Sequence, residues 1–329
     1  MIKTLFAALV AVFVAGPAMA ADKVILMLNW YVYGEHAPFY YGKEKGIFAA
    51  EGIDLDIQEG RGSGVTTQAV AAKTAQFGYV DVPTMMRAAV KGAPVVATGV
   101  LLQTSPMSAM GFEEKNIRKA DDIKGKTVAT TPGDSMSQIW PLFLKKTGLK
   151  ESDFKVVSGD ATTKLNAVIN GQADLLLGYV MDQSMKIKDA TGKNVTPIKF
   201  ADYGVNLVSS GIITTKDMVK DNPDLVRRMM KASTNAIIAA SKEPKAAAQS
   251  ILTANPKGGK IDTLTEGFEL TIPLYKDPAG KSTQPFLVSE QNMADTVNMM
   301  VEYGGLDAVA KDNAQAYYTN DYLPKGMGM

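Results

Sequence analysis

Apolar residues fall in short runs set between polar turns and longer mixed stretches. Residues 24–28 form an apolar run, and residues 53–57 alternate Ile and Leu with Asp, the period of a half-buried strand. Residues 77–80 and 94–102 read as two further strands. Between these lie stretches of helical spacing. One covers 39–48 and ends at Gly46. A second covers 65–73, behind the glycine-rich turn Gly60-Arg61-Gly62-Ser63-Gly64. A third covers 85–91, opened by Pro83-Thr84. Strands alternating with helices of about ten residues predict βαβ units and a parallel sheet.

The layout then restarts. Strand 127–130 leads through Thr131-Pro132-Gly133-Asp134-Ser135 into a helix reaching Leu144, followed by strand 154–157, helix 162–170 and strand 173–177. The architecture repeats although the residues do not. Segments 110–119 and 203–215 are expected to cross between the two blocks. From Asn222-Pro223 onward the pattern is helical, over 224–240, 244–252, 264–270 and 289–302, and these helices are expected to pack on the first block. The predicted fold is α/β: two α/β lobes joined by two crossover segments, with an interlobe cleft. Lobe 1 is expected over 21–112 and 210–329, and lobe 2 over 113–209.

The first twenty residues stand apart. Lys3, an apolar stretch over 5–14, Gly16-Pro17 and then Ala18-Met19-Ala20 have the three parts of a secretory signal, with cleavage expected after Ala20. The apolar stretch is too short to span a bilayer. With no cysteine, a lipid anchor, disulfides and thiol chemistry are all excluded. The expectation is a soluble, unlipidated protein released into the periplasm. His36 is the single histidine, so a metal site built on several imidazoles is excluded. Lys and Arg number 35 against 34 Asp and Glu, and loss of Lys3 with the signal makes the two equal. Such a balance gives no electrostatic case for nucleic acid or an anionic membrane. A monomer is the default.

Candidate chemistry sits at three helix starts that follow strands: Gly62-Ser63-Gly64, Val82-Pro83-Thr84 behind Asp81, and Gly133-Asp134-Ser135. In open α/β sheets ligands bind outside the carboxyl ends of the strands, where helix N-termini offer free N–H groups. Ser, Thr and Asp also cap helices with no ligand present, and Asp81 fits a cap for Thr84. The densest stretch is Asn29-Trp30-Tyr31-Val32-Tyr33-Gly34-Glu35-His36, with three aromatics and the imidazole. Aromatic faces stack on planar ligands, while Asn and His supply directional hydrogen bonds. Trp30 as a core residue and His36 as a local helix-start partner is the competing reading. Gln103 at a strand end, and Asp160, Tyr179, Asp182 and Tyr203 near strand ends or crossings of the second block, complete the candidate ligand-binding set. Enzyme signatures are missing: there is no dinucleotide fingerprint, no Walker A loop and no Gly-x-Ser-x-Gly elbow. No catalytic residue, cofactor or metal is expected.

The order Leu28-Asn29-Trp30, His36-Ala37, Lys45-Gly46-Ile47-Phe48 and Glu51-Gly52-Ile53-Asp54-Leu55 resembles the opening of the NMT1/THI5-like (SsuA/THI5-like) periplasmic solute-binding proteins. Gly92-Ala93-Pro94-Val95-Val96, Asp121-Asp122-Ile123-Lys124-Gly125-Lys126 and Asn170-Gly171-Gln172-Ala173-Asp174 extend the likeness. The resemblance implies a type II periplasmic-binding-protein fold that closes over a small molecule. It also implies delivery of that molecule to the permease and ATPase subunits of an ABC importer. Its ligands include thiamine pyrimidine precursors, sulfonates and nitrate. The Trp…His opening is most similar to the pyrimidine-precursor branch, in which Trp30 would stack on a heteroaromatic ring and His36 would line the site. The chain departs from that pattern at Asn29, where the family has Asp, and at Val32-Tyr33, where it has Pro-Asn. A binder of sulfonate, nitrate or a small carboxylate is the alternative, and a receptor-docking sensor is another. A pyrimidine-synthesis enzyme is disfavoured, because the related fungal-type synthase uses a cysteine-rich motif and several histidines.

Overall fold

The computed structural model describes residues 20–278 and 282–329. The expected signal segment, but for Ala20, lies outside them. Among the described residues ten strands form two five-stranded sheets. The first holds β1 (Asp22–Met27), β2 (Ile53–Gln58), β3 (Phe77–Asp81), β4 (Val95–Val100) and β10 (Ser210–Thr215), in the order β2-β1-β3-β10-β4. The second holds β5 (Met107–Phe112), β6 (Thr127–Thr130), β7 (Lys155–Ser158), β8 (Leu175–Tyr179) and β9 (Val195–Lys199), in the order β7-β6-β8-β5-β9. The inner strands β3, β5, β8 and β10 are buried along their whole length, and so is edge strand β4, whose Ala97 pairs with the segment around Tyr318. Edge strand β2 buries Ile53 and Leu55 and exposes Asp54 and Asp56. Helices cover the faces of such sheets, which is why central strands read as continuous apolar runs and edges alternate.

The two sheets are built alike. In each, four strands run in one direction and the fourth in order is antiparallel to both its neighbours: β10 between β3 and β4, and β5 between β8 and β9. That fourth strand is the first one formed after the chain arrives from the other lobe. The expected βαβ units and parallel pairing are present, and the single reversed strand in each sheet is what the expectation lacked. The crossover strand enters from the opposite lobe and therefore runs against the βαβ units it joins.

The first crossing also differs from the expected one. Met107–Phe112 pairs with β8 and β9, so it belongs to the second sheet, and the chain leaves the first lobe between β4 and β5, not at 112. The two crossing segments lie side by side. The Leu101 N–H donates to the Ser210 carbonyl and the Ser209 N–H to the Leu102 carbonyl, both at 2.8 Å. The side chain of Asn206 accepts from the Ser105 N–H at 3.1 Å.

The C-terminal helices pack mainly on the first lobe. Pro223–Lys242 buries Val226, Met229, Met230 and Ile237 and lies against the helix Ala37–Glu44. Proline opens both Pro223–Lys242 and Pro244–Ala254, where its missing N–H is no loss. No helix among the described residues is long and apolar enough to cross a membrane.

Candidate functional site

The carboxyl ends of β1, β3, β6 and β8 meet between the lobes. There the two glycine-rich turns touch. The helix Ser63–Ala71 begins at Gly62, whose φ is 128°, a backbone conformation glycine adopts without steric cost. A Cβ on Gly62 or Gly64 would stand 3.0 Å from the carbonyl oxygen of Gly133 in the other lobe. A side chain at either position would crowd that carbonyl, so glycine suits the close approach of the lobes.

The space they enclose is about 30 Å³, room for one or two water molecules. The first lobe lines it with Asn29, Trp30, Tyr33, Gly62 and Ser63. The second contributes Asp134, Ser135, Tyr179 and Asp182, all expected, together with Met136, Lys164, Gly178 and Gln183.

The first-lobe wall is aromatic, with its charge held behind it. Glu35 and His36 are fully buried. The Glu35 carboxylate accepts from the Tyr79 hydroxyl at 2.7 Å and from the Tyr33 hydroxyl, and burial pushes its pKa up. His36 takes one tautomer. Nδ1 lies 3.4 Å from the Tyr33 N–H and must accept from it, so the proton sits on Nε2, which donates to Asn29 Oδ1 at 2.8 Å. Burial lowers the His36 pKa to about 3, with the Lys186 charge as a lesser cause. The imidazole thus stays neutral and orients Asn29 from behind; it does not line the cavity.

The second-lobe wall is charged. Asp134 caps the helix Ser135–Thr147, accepting from the Ser137 N–H at 2.7 Å. It also pairs with the buried ammonium of Lys164 at 3.1 Å, and that ammonium lies 5.1 Å from the centre of the Trp30 ring across the gap. Asp182 accepts from the first-lobe Tyr31 hydroxyl at 2.9 Å through Oδ2. Its other oxygen, Oδ1, is buried with no hydrogen-bond partner among the described residues. Burial raises the Asp182 pKa against the pull of Lys186.

A third set of groups links the lobes at the hinge. Asp81 Oδ1 accepts from the Thr84 N–H at 2.9 Å and from the Thr84 hydroxyl at 2.6 Å. Its Oδ2 accepts from the Ser209 hydroxyl at 3.2 Å. Ser209 in turn lies 3.1 Å from the Tyr179 hydroxyl, which accepts from Ser135 at 3.2 Å. Burial raises the Asp81 pKa to about 6. Asp81 and Thr84 are therefore a helix cap tied into an interlobe chain.

Other candidates lie away from the cavity. Gln103 sits at the crossing, donating to the Val100 carbonyl at 2.6 Å. The Tyr203 hydroxyl accepts from the Ala120 N–H at 3.0 Å within the second lobe. Asp160 is exposed and caps the helix Ala161–Ile169. Gly64 and Gly133 frame the contact between the turns. The residues missed by sequence reasoning have weak local signals. Lys164 sits on a helix where a lysine normally reads as solvated. Gln183 stands next to the quoted Asp182, and its Oε1 accepts from the Tyr179 N–H at 2.8 Å.

Comparison with known proteins places this geometry in context. A family model described as NMT1/THI5 like matches residues 34–247. The riboflavin-binding protein RibY of Chloroflexus aurantiacus is 24% identical over 322 residues, covering 95% of this chain and 90% of that protein. A 4-amino-5-hydroxymethyl-2-methylpyrimidine phosphate synthase of Legionella pneumophila is 24% identical over 309 residues, covering 92% and 93%. Among solved structures, the alkanesulfonate-binding protein SsuA of Xanthomonas axonopodis, bound to MOPS, superposes with a TM-score of 0.68. It is 14% identical and covers 92% of this chain and 100% of that one.

Proposed function

The chain belongs to the NMT1/THI5-like family, and from that premise we propose that it is the periplasmic solute-binding component of an ABC importer, closing over a small flat heteroaromatic solute with N–H donors, with a thiamine pyrimidine precursor as the best single candidate. The observation that carries this reading is the unpartnered Oδ1 of Asp182, buried beside the Trp30 and Tyr33 rings at the cavity. A buried carboxylate oxygen without a donor is costly. An amino group or ring N–H stacked on the indole would satisfy it.

The charges argue against a strong anion. Lys164 is the one cation lining the cavity, and Asp134 already neutralises it. Sulfonate or nitrate would face two carboxylates and no free guanidinium. The synthase reading draws on relatives such as the Legionella enzyme. Against it stands His36, whose two ring nitrogens are both engaged behind the wall. The role of the clamp is mechanical: the cavity of about 30 Å³ is too small for a ring, so the lobes part at the paired crossings, admit the ring and close less far around it.

Thermal-shift screening of the chain without its first twenty residues tests the reading. The probes are 4-amino-5-hydroxymethyl-2-methylpyrimidine, riboflavin, nitrate and an alkanesulfonate. A ring ligand at a hundred times its Kd adds about 2.7 kcal/mol of stability. Trp30→Leu keeps apolar bulk but removes the π face, and is expected to weaken ring binding about tenfold or more. Stabilisation by nitrate or sulfonate alone refutes the proposal, and so does chemical conversion of the bound pyrimidine seen by mass spectrometry.

A further inference from the structure

His36 fixes which end of the Asn29 amide faces the cleft. The Tyr33 N–H can only donate, so His36 Nδ1, 3.4 Å from it, can only accept. The imidazole proton is then on Nε2, and the Asn29 atom 2.8 Å from Nε2 must be the amide oxygen. Nδ2, the other end of that amide, makes no hydrogen bond among the described residues, keeps access to solvent and belongs to a residue that lines the cavity. The imidazole is wedged in place. Tyr33 and Tyr79 stand edge-on to it, with ring centres 4.4 and 5.9 Å away, and the Glu35 carboxylate holds the hydroxyls of both. The Asn29 backbone is held as well, its carbonyl accepting from the Gly62 N–H at 2.9 Å. All these groups belong to the first lobe, so the arrangement does not depend on how far the clamp closes.

We propose that the Asn29 amide is a specificity-determining donor, with His36 as its positioning residue, and that the solute must carry a ring-nitrogen or carbonyl acceptor against the first lobe. The proposal deepens the ring-binding reading above and rests on it. Trp30 is the next residue, so adjacent positions of one wall offer the stacking face and the donor. An amide free to rotate would present oxygen or nitrogen as the solute required, and would take a ring N–H and a ring nitrogen alike. Held by His36, it offers N–H alone. A ring that turns an N–H toward it sets donor against donor. A ring that turns C–H toward it leaves Nδ2 without a partner once water is excluded, which is costly. The Asp182 carboxylate on the second-lobe wall accepts when ionised. The two walls therefore ask for different groups: an acceptor on the first-lobe side and an N–H on the second. Aminopyrimidines and cyclic amides carry both.

Isothermal titration against matched rings tests this. The probes are 4-amino-5-hydroxymethyl-2-methylpyrimidine, its two deaza analogues, in each of which one ring nitrogen is replaced by C–H, and riboflavin. The wild type is expected to bind the pyrimidine about tenfold or more tighter than one of the two analogues. Asn29→Asp keeps an oxygen toward His36 and replaces the donor at the cleft with a second acceptor. It is expected to weaken the pyrimidine about tenfold or more, and to leave the disfavoured analogue and the melting temperature near their wild-type values. His36→Leu unlocks the amide and is expected to narrow the gap between pyrimidine and analogue. His36→Gln, whose side-chain NH₂ can replace the Nε2 donor, restores it. A purely structural histidine would change both affinities together. Asn29→Asp decides alone where His36→Leu does not fold. Equal wild-type affinity for the pyrimidine and both analogues overturns the proposal. So does an Asn29→Asp variant that weakens pyrimidine and analogue equally, or neither. If riboflavin binds and the pyrimidine does not, Asn29→Asp must weaken riboflavin about tenfold; unchanged affinity overturns the donor and leaves the ring site standing. Binding of neither ring overturns both.

Discussion

The first-lobe wall of the cleft keeps its ionisable groups behind aromatic rings, whereas the second-lobe wall brings them to the gap. Glu35 and His36 are wholly enclosed by Tyr33, Tyr79 and Asn29. Asp134, Lys164 and Asp182 line the cavity itself. Yet the two sheets share one strand plan. Equivalent strand ends therefore fix where the chemistry sits, and the turn residues fix what it is: a neutral, hydrogen-bonded face for a ring on one side, charges and an open acceptor on the other.

The sharpest way to break that contrast is at Lys164. Lys164→Met leaves Asp134 buried without its counter-charge and is expected to cost about 3–5 kcal/mol in urea unfolding. Adding Asp134→Asn, which still caps the helix, should recover most of the loss. If the single variant costs less than about 1 kcal/mol, the pair is not the dry ion pair that its burial indicates.

The first-lobe wall is tested by pH. His36 has a folded pKa near 3 against an unfolded value of about 6.5. The unfolded chain binds more protons between these values, so stability from this group is lost as pH falls below 6.5. At pH 4 the loss is about 3 kcal/mol, at 1.36 kcal/mol per unit. Asp81 acts in the opposite sense. Its folded pKa, about 6, is raised, so acidification from 6 toward 4 favours the folded state by roughly 2 kcal/mol. Glu35 and Asp182, also raised, add to that gain. His36→Gln removes the acid-side loss alone. Its urea stability is expected to rise between pH 6.5 and 4, relative to its own value at 6.5, while the wild type gains less or falls. Parallel pH curves for the two proteins would show that the imidazole is not held neutral.

The smallest expected effect joins the walls. Tyr31→Phe removes the interlobe hydrogen bond to Asp182 and should weaken closure by about 1.5–3 kcal/mol, the scale of a bond to a charged group. Small-angle scattering of the ligand-free variant should then show a larger radius of gyration than wild type. An unchanged radius assigns closure to the Asp81–Ser209–Tyr179–Ser135 chain instead.

Much of the fold could be read along the chain because most buried strands are compact apolar runs and several helix starts carry a side-chain cap. The elements that escaped notice lack those marks. Strand β5 is Met-Ser-Ala-Met-Gly-Phe, with no β-branched residue, and β9 contains Pro197, which is tolerated because the strand lies at the sheet edge. The helix Gln183–Thr191 lacks a clear apolar stripe. Both strands are stabilised by pairing with residues distant in sequence, so local pattern could not reveal them.

The sequence by itself determined the βαβ rhythm, the restart that makes two lobes, the glycines that let the turns meet and the aromatic stretch at the first of them. These follow from local periodicity and backbone freedom, which neighbouring residues set. Only the tertiary structure decided which strand crosses into which sheet, that His36 stands behind the wall while Lys164 stands in it, and that Asp182 keeps one oxygen without a donor. Burial and hydrogen-bond satisfaction belong to the space around a side chain, and in this cleft that space is formed by two lobes whose facing residues lie far apart along the chain.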